Sequence, residues 1–381
     1  KQHKKNLKLG STKQMTSYLN LDKPIEIQVE LTTKCNAMCP MCARVDETWA
    51  KGQYLNPYMP FEADMKFETW ERMFDNWSLE KVYRIDHTPV FGDPLASSIF
   101  LDTVEWIAKK NPKIIVSANT NASLRTPDYW RELGKLLSFN QENHISFSID
   151  GLEDTNHLYR RMTKWEKIME NAEAFIGAGG QAHWKMVKFE HNKHQIDQAR
   201  DLAKKMKFAT FTVSPNNGGR ELIEEDSLKT YQTPSKFRDT EYNSSNTITH
   251  HWQNKDKAML EKFNARKINC EWSNLKNAVF FATNGDVFPC CYTYQRVYLT
   301  SRLQANDFIS KTYEKYGKEF INVNAHSFEQ ILKNEWYGKN LVDSFGQKLQ
   351  DEINPKLHRC AHKCGQSLES RPDLKFAHQT F

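Results

Sequence analysis

Three cysteines crowd one short stretch, Cys35-Asn-Ala-Met-Cys39-Pro-Met-Cys42, just after an alternating apolar run at Ile25, Ile27, Val29 and Leu31. The two-residue period reads as a half-buried strand, so the thiols fall in the loop that follows it. Thiolates are soft ligands suited to iron–sulfur clusters or zinc. Three of them leave one position of a four-ligand site for something else. After a long cysteine-free interval come Cys270, Cys290, Cys291, Cys360 and Cys364. Clustered thiols in a long chain without a visible signal sequence point to metal ligation in a reducing compartment rather than to disulfides. A cytoplasmic location is therefore expected.

The elements that must hold these thiols are legible in the spacing of apolar residues. With 381 residues, 39% of them apolar and 12% aromatic, the chain can bury a sizeable core. Its net charge of +6 is mild, and outside residues 1–8 the basic side chains are dispersed. A solvated terminus fits this better than a nucleic-acid surface. No apolar run approaches the ~20 residues that a bilayer span needs. Phe67, Trp70, Met73, Phe74 and Trp77 recur at helical spacing. Strands are expected over 24–31, 82–87, 113–119, 144–150, 184–190 and 209–214, and helices over 96–110, 127–137, 165–176 and 195–206.

Such alternation predicts a parallel sheet with helices outside it, open or curled into a barrel, and ligands at the carboxyl ends of its strands. Gly92-Asp93, Asn119 and Asn121, and Ser148-Ile-Asp150-Gly151 fall at those ends. Gly92-Asp93-Pro94 and Asp150-Gly151 are also ordinary turn formers. Their shared register with the cysteine loop is what favours one common site.

The Cys-x3-Cys-x2-Cys spacing after a first strand resembles the cluster motif of the radical S-adenosylmethionine (SAM) enzymes. Val90-Phe-Gly92-Asp93-Pro94-Leu95 is similar to their second-strand motif, and Phe147-Ser148-Ile-Asp150-Gly151 with His157 and Tyr159-Arg160 to their fourth-strand signature. The resemblance covers about residues 23–214 and implies a partial (β/α)6 TIM-type barrel. It implies a [4Fe-4S] cluster on Cys35, Cys39 and Cys42, with one open iron chelating SAM, and reductive cleavage of SAM to a 5'-deoxyadenosyl radical that abstracts a substrate hydrogen. Gly92 and Asp93 would face the SAM ammonium, and Ser148 and Arg160 its ribose or carboxylate, with Arg161 as a neighbouring alternative. Met41 would lie near the adenine. A reducing partner such as flavodoxin or ferredoxin is implied as well.

Residues 215–269 form a polar, charge-rich linker or insertion. A hairpin then turns at Asn284-Gly285 and carries Cys290 back towards Cys270. This spacing, closed by Cys360 and Cys364, resembles the twitch domain, a shortened relative of the SPASM domain. It implies a second, auxiliary [4Fe-4S] cluster on Cys270, Cys290, Cys360 and Cys364 in a small α+β domain over 270–365. A four-cysteine structural zinc site is the competing reading. Cys291 is free to exchange with Cys290, to donate a hydrogen atom to a substrate radical, or to be a buried structural thiol. His358 and His362 flank the last pair and read as surface residues. Residues 1–22 and 366–381 read as tails.

Relatives with auxiliary-cluster domains often modify peptides or proteins, and others oxidise or rearrange small metabolites. Peptide modification is the leading expectation, with radical chemistry on a metabolite next. A non-catalytic cysteine–metal module that contacts nucleic acid or a protein is the remote alternative, since such a module has no need for an unsaturated metal site.

Overall fold

A computed structural model of the chain describes residues 17–40, 42–44, 63–215, 257–299, 308–349, 351, 353–365 and 377–380. Among them, nine strands form one sheet in the order β8-β7-β1-β2-β3-β4-β5-β6-β9. The first six are β1 (Ile25–Val29), β2 (Val82–His87), β3 (Ile115–Thr120), β4 (His144–Ser148), β5 (Ala182–Lys188) and β6 (Thr210–Pro215). Each pairs in parallel with the next. The connections carry α1 (Phe67–Arg72), α2 (Asn76–Lys81), α3 (Phe100–Lys110), α4 (Pro127–Leu136), α5 (Asn156–Tyr159), α6 (Trp165–Gly177) and α7 (Ile196–Lys205). This is the expected α/β architecture of a partial TIM-type barrel.

Alternation decides which side of the sheet the helices cover. Ile85, Val116, Ala118, Ile145, Phe147, Trp184 and Met186 point to the helical side and are fully buried. Their neighbours Arg84, Asp86, Asn119, Ser148 and Lys185 point to the opposite, inner face and keep contact with solvent. Aromatic contacts fasten the outer layer: Trp130 of α4 lies 5.1 Å from Phe147 and 5.7 Å from Phe175 of α6.

Three features depart from the sequence reading. The apolar run over 67–77 is two short helices, because Asp75 accepts from the Ser78 backbone N–H at 2.7 Å and caps a new helix there. The hairpin of β7 (Ala278–Phe281) and β8 (Val287–Phe288) does not stand apart from the barrel. β7 adds to the sheet in parallel beside β1, pairing Ile27 with Val279 and Gln28 with Phe280. Gly285, at φ +88°, makes its turn.

Neither presumed tail is wholly a tail. Tyr18 and Leu19 are buried, and β9 (Ala377–Thr380) closes the far edge of the sheet antiparallel to β6. No helix among the described residues is long and apolar enough to cross a membrane.

Candidate iron–sulfur and SAM site

The loop after β1 is shaped by the loop after β2. Glu30 is buried, and its Oε1 accepts the backbone N–H groups of Val90, Phe91 and Gly92 at 2.9, 2.5 and 3.1 Å. Asp93 N–H donates to the Lys34 carbonyl at 2.8 Å. A Cβ on Gly92 would stand 1.9 Å from the Thr32 carbonyl oxygen, so only glycine permits this approach.

Asp93 is buried, and both its carboxylate oxygens are occupied. One accepts from Thr120 Oγ1 at 2.9 Å and the Asn121 N–H at 2.8 Å, the other from the Leu95 N–H at 3.0 Å. Glycine and aspartate here brace the cysteine loop and the end of β3. The contact of Asp93 with a SAM ammonium that the motif suggested would have to compete with these three donors.

The thiols themselves meet donors from three strand ends. Asn121 donates its side-chain N–H to Cys35 Sγ at 3.6 Å and to Asn36 Oδ1 at 2.9 Å. Ala37 N–H donates to Cys35 Sγ at 3.3 Å and Arg44 N–H to Cys42 Sγ at 3.4 Å. Arg160 Nη1 lies 3.9 Å from Cys39 Sγ, while its Nε donates to Asp150 Oδ2 at 2.6 Å. Asp150 is fully buried and also accepts the Val187 N–H at 2.6 Å. Arg161 contributes its carbonyl, which accepts the Met38 N–H at 3.1 Å. The fork facing the thiols is therefore that of Arg160.

Burial sets the protonation of the protein alone. It pushes the Cys39 thiol up to about 11 against the opposing pull of Arg160, and raises Cys35 and Cys42 too. Loading iron must displace those protons. For Arg160, burial acts against the charged form, but Asp150, Cys39 and Tyr159 together outweigh it and raise the pKa. Ser148, half-buried at the end of β4, sits across from Lys185 of β5. Met41 lies outside the described residues.

The second thiol group gathers beside the sheet edge. Cys270 shares a hydrogen bond with Cys364; that bond, burial, and the nearby Cys364, Cys360 and Cys290 thiols raise its pKa well above the ordinary value. Cys290 is pushed up to about 11, chiefly by burial. Among the described residues no three Cys, His, Asp or Glu groups close on a single ion position. Cys291 opens the helix Cys291–Leu299; burial and the neighbouring Cys290 raise its pKa, and Lys276 and Arg359 act against them. His358 and His362 lie in the helix His358–Lys363, their side chains outside the described set.

Sequence reasoning missed two supports here. Tyr18 donates its hydroxyl to the Pro289 carbonyl at 2.5 Å and lies 3.8 Å from Cys270 Sγ. Nothing in a polar, basic terminus signals this contact. Glu30 could have been noticed as an acid at a strand end, but its three backbone partners are sixty residues away in sequence.

Two family models match the chain: the radical SAM superfamily over residues 29–206, and the SPASM iron–sulfur cluster-binding domain over residues 270–365. No curated protein matches it. Among solved structures, Streptococcus suis SuiB bound to precursor peptide SuiA is 13% identical with a TM-score of 0.51, over 89% of this chain and 71% of that one. SuiB bound to S-adenosylmethionine is 14% identical with a TM-score of 0.45, over 74% of this chain, which spans 62% of that one. Native anSMEcpe with bound AdoMet is 15% identical with a TM-score of 0.47, over 90% and 96%. The first of these likenesses bears on the fold. The family carries with it a [4Fe-4S] cluster, SAM and further iron–sulfur in the SPASM domain. The chain belongs to the radical SAM superfamily and carries a SPASM-type iron–sulfur domain.

Proposed function

We propose that the chain cleaves SAM reductively and uses the resulting 5'-deoxyadenosyl radical to abstract hydrogen from a peptide or protein substrate. Cys35, Cys39 and Cys42 would hold the catalytic cluster, and Cys270, Cys290, Cys360 and Cys364 the auxiliary one. When bound, the catalytic cluster would supply one-electron reduction of SAM and an open iron position for it. The rest is done by the chain's own residues. Asn121 and the Ala37 and Arg44 N–H groups donate to the thiol sulfurs, which stabilises them as thiolates. Arg160, held by Asp150, presents a planar cationic fork suited to the SAM carboxylate, and Ser148 presents a hydroxyl to its ribose.

The observation that carries this reading is the convergence of Cys35, Cys39, Asn121 and the Asp150–Arg160 pair at neighbouring strand ends. The fold likeness to a structure holding a precursor peptide supports the peptide substrate. Anaerobic reconstitution with iron and sulfide, then dithionite and SAM, tests the first half. Release of 5'-deoxyadenosine is expected, and its absence from iron-loaded protein would sink the reading. Deuterium transfer into 5'-deoxyadenosine from labelled peptides, set against labelled metabolites, tests the second.

A further inference from the structure

We infer that the inner face of the sheet, one residue layer below the cysteine loop, receives a carboxylate of the substrate, with the Lys185 ammonium as its anchor. This rests on the radical SAM reading and adds a substrate chemistry to it.

Strand register places the layer. Ser148 of β4 is paired with Lys185 of β5, and Asn119 of β3 with Ser146 of β4. Two residues past Asn119 on the same face is Asn121, which touches Cys35. Two residues past Ser148 is Asp150, whose partner Arg160 faces Cys39. A group bound at Lys185 therefore lies directly beneath the place where a reactive carbon must be presented. The layer is open to solvent: Lys185 is exposed, and Arg84, Asp86, Asn119 and Ser148 are half-buried.

Its charges are arranged to accept an anion. Asp86 is engaged by neutral donors, the hydroxyls of Thr88 at 2.6 Å and Ser117 at 3.0 Å and the Asn119 amide at 3.5 Å. Lys185 Nζ donates to the neutral Asn119 Oδ1 at 2.8 Å. Among the described residues neither Lys185 nor Arg84 has a carboxylate within ion-pair distance. An ammonium has three N–H donors. Desolvation by the surrounding side chains lowers the Lys185 pKa even though the side chain reaches solvent; Asp86 opposes this, while Lys276 and Arg84 add to it. A negative group entering here relieves that crowding of cations. Mid-strand backbone N–H groups are consumed by the ladder, so the layer lacks the backbone cradle typical of phosphate sites. A few side-chain donors suit the two oxygens of a carboxylate.

The test is competitive acylation of the reconstituted, full-length enzyme, reading acetylation of Lys185 by peptide mass spectrometry with exposed Lys113 as the internal control. Succinate is the probe. Above its dissociation constant it is expected to slow Lys185 acetylation by about threefold or more, leaving Lys113 unchanged, while dimethyl succinate does nothing. Asn119→Asp, which supplies an internal carboxylate, is expected to abolish the protection. Equal protection by the neutral ester, protection by inorganic phosphate but not succinate, or protection by SAM alone would each overturn the inference. The last would assign the ammonium to SAM. Because labelling reads Lys185 and not turnover, it stays separable from the 5'-deoxyadenosine assay.

Discussion

Asp150 and Arg160 meet at 2.6 Å, with the aspartate fully buried and the arginine's outer nitrogen turned to Cys39. Asp150→Ala removes the one carboxylate that pairs with Arg160 among the described residues and also strands the Val187 N–H. Breaking a buried pair on one side costs about 3–5 kcal/mol, so chemical denaturation should show a loss of that order. Asp150→Asn, which keeps an acceptor for Val187, should lose less stability but still weaken SAM binding by equilibrium dialysis.

Iron counting should separate the two thiol sets. Replacing Cys35, Cys39 and Cys42 together by alanine is expected to remove about four irons, one [4Fe-4S] cluster, and all SAM cleavage. Replacing Cys270 and Cys360 should remove a similar amount of iron while leaving the other cluster's electron paramagnetic resonance signal after dithionite. Cys291→Ala should leave the iron content unchanged.

Gly92→Ala forces a Cβ into the Thr32 carbonyl. Overpacking of this kind costs roughly 1–3 kcal/mol or more, so a lower melting temperature is expected. Asp93→Ala, which orphans the Thr120 hydroxyl and two backbone N–H groups, should do the same. For both variants, thermal stability should fall even in cluster-free protein without SAM, which a residue serving only SAM would not show.

His87 is fully buried between Trp70, at 5.8 Å, and Phe100, at 5.0 Å. Burial lowers its pKa from 6.5 to about 4. Above 6.5 the ring is neutral in both folded and unfolded chains, and it does not affect stability. Between 6.5 and 4 only the unfolded chain takes up the proton, so stability falls with pH by up to ~3 kcal/mol. His87→Met should flatten that part of the curve in urea denaturation of the cluster-free protein; an unchanged slope would refute the assignment.

The strand–helix succession over residues 82–215 was readable because Ile145, Phe147 and Ile149 alternate with Ser146, Ser148 and Asp150, and one face had to be greasy. The cysteines were readable because soft ligands at short spacing have few other uses. Pairing partners were not readable. Periodicity says that 278–281 is extended, but not that it lies beside β1. Nor does a charged side chain announce its occupation: Asp93 reads in sequence as a SAM contact and Glu30 as an ordinary strand-end acid, and both are buried acceptors for backbone N–H groups.

The parallel pairing of β7 with β1 bears on how such a protein could be cut or recombined. A fragment ending at residue 215 would bare the whole hydrogen-bonding edge of β1, the strand leading into the first cysteine loop, and bare edges invite aggregation. The two thiol groups are thus welded through one ladder. Their separation is inherited as a unit, and a foreign auxiliary segment grafted onto this barrel would have to bring its own matching strand.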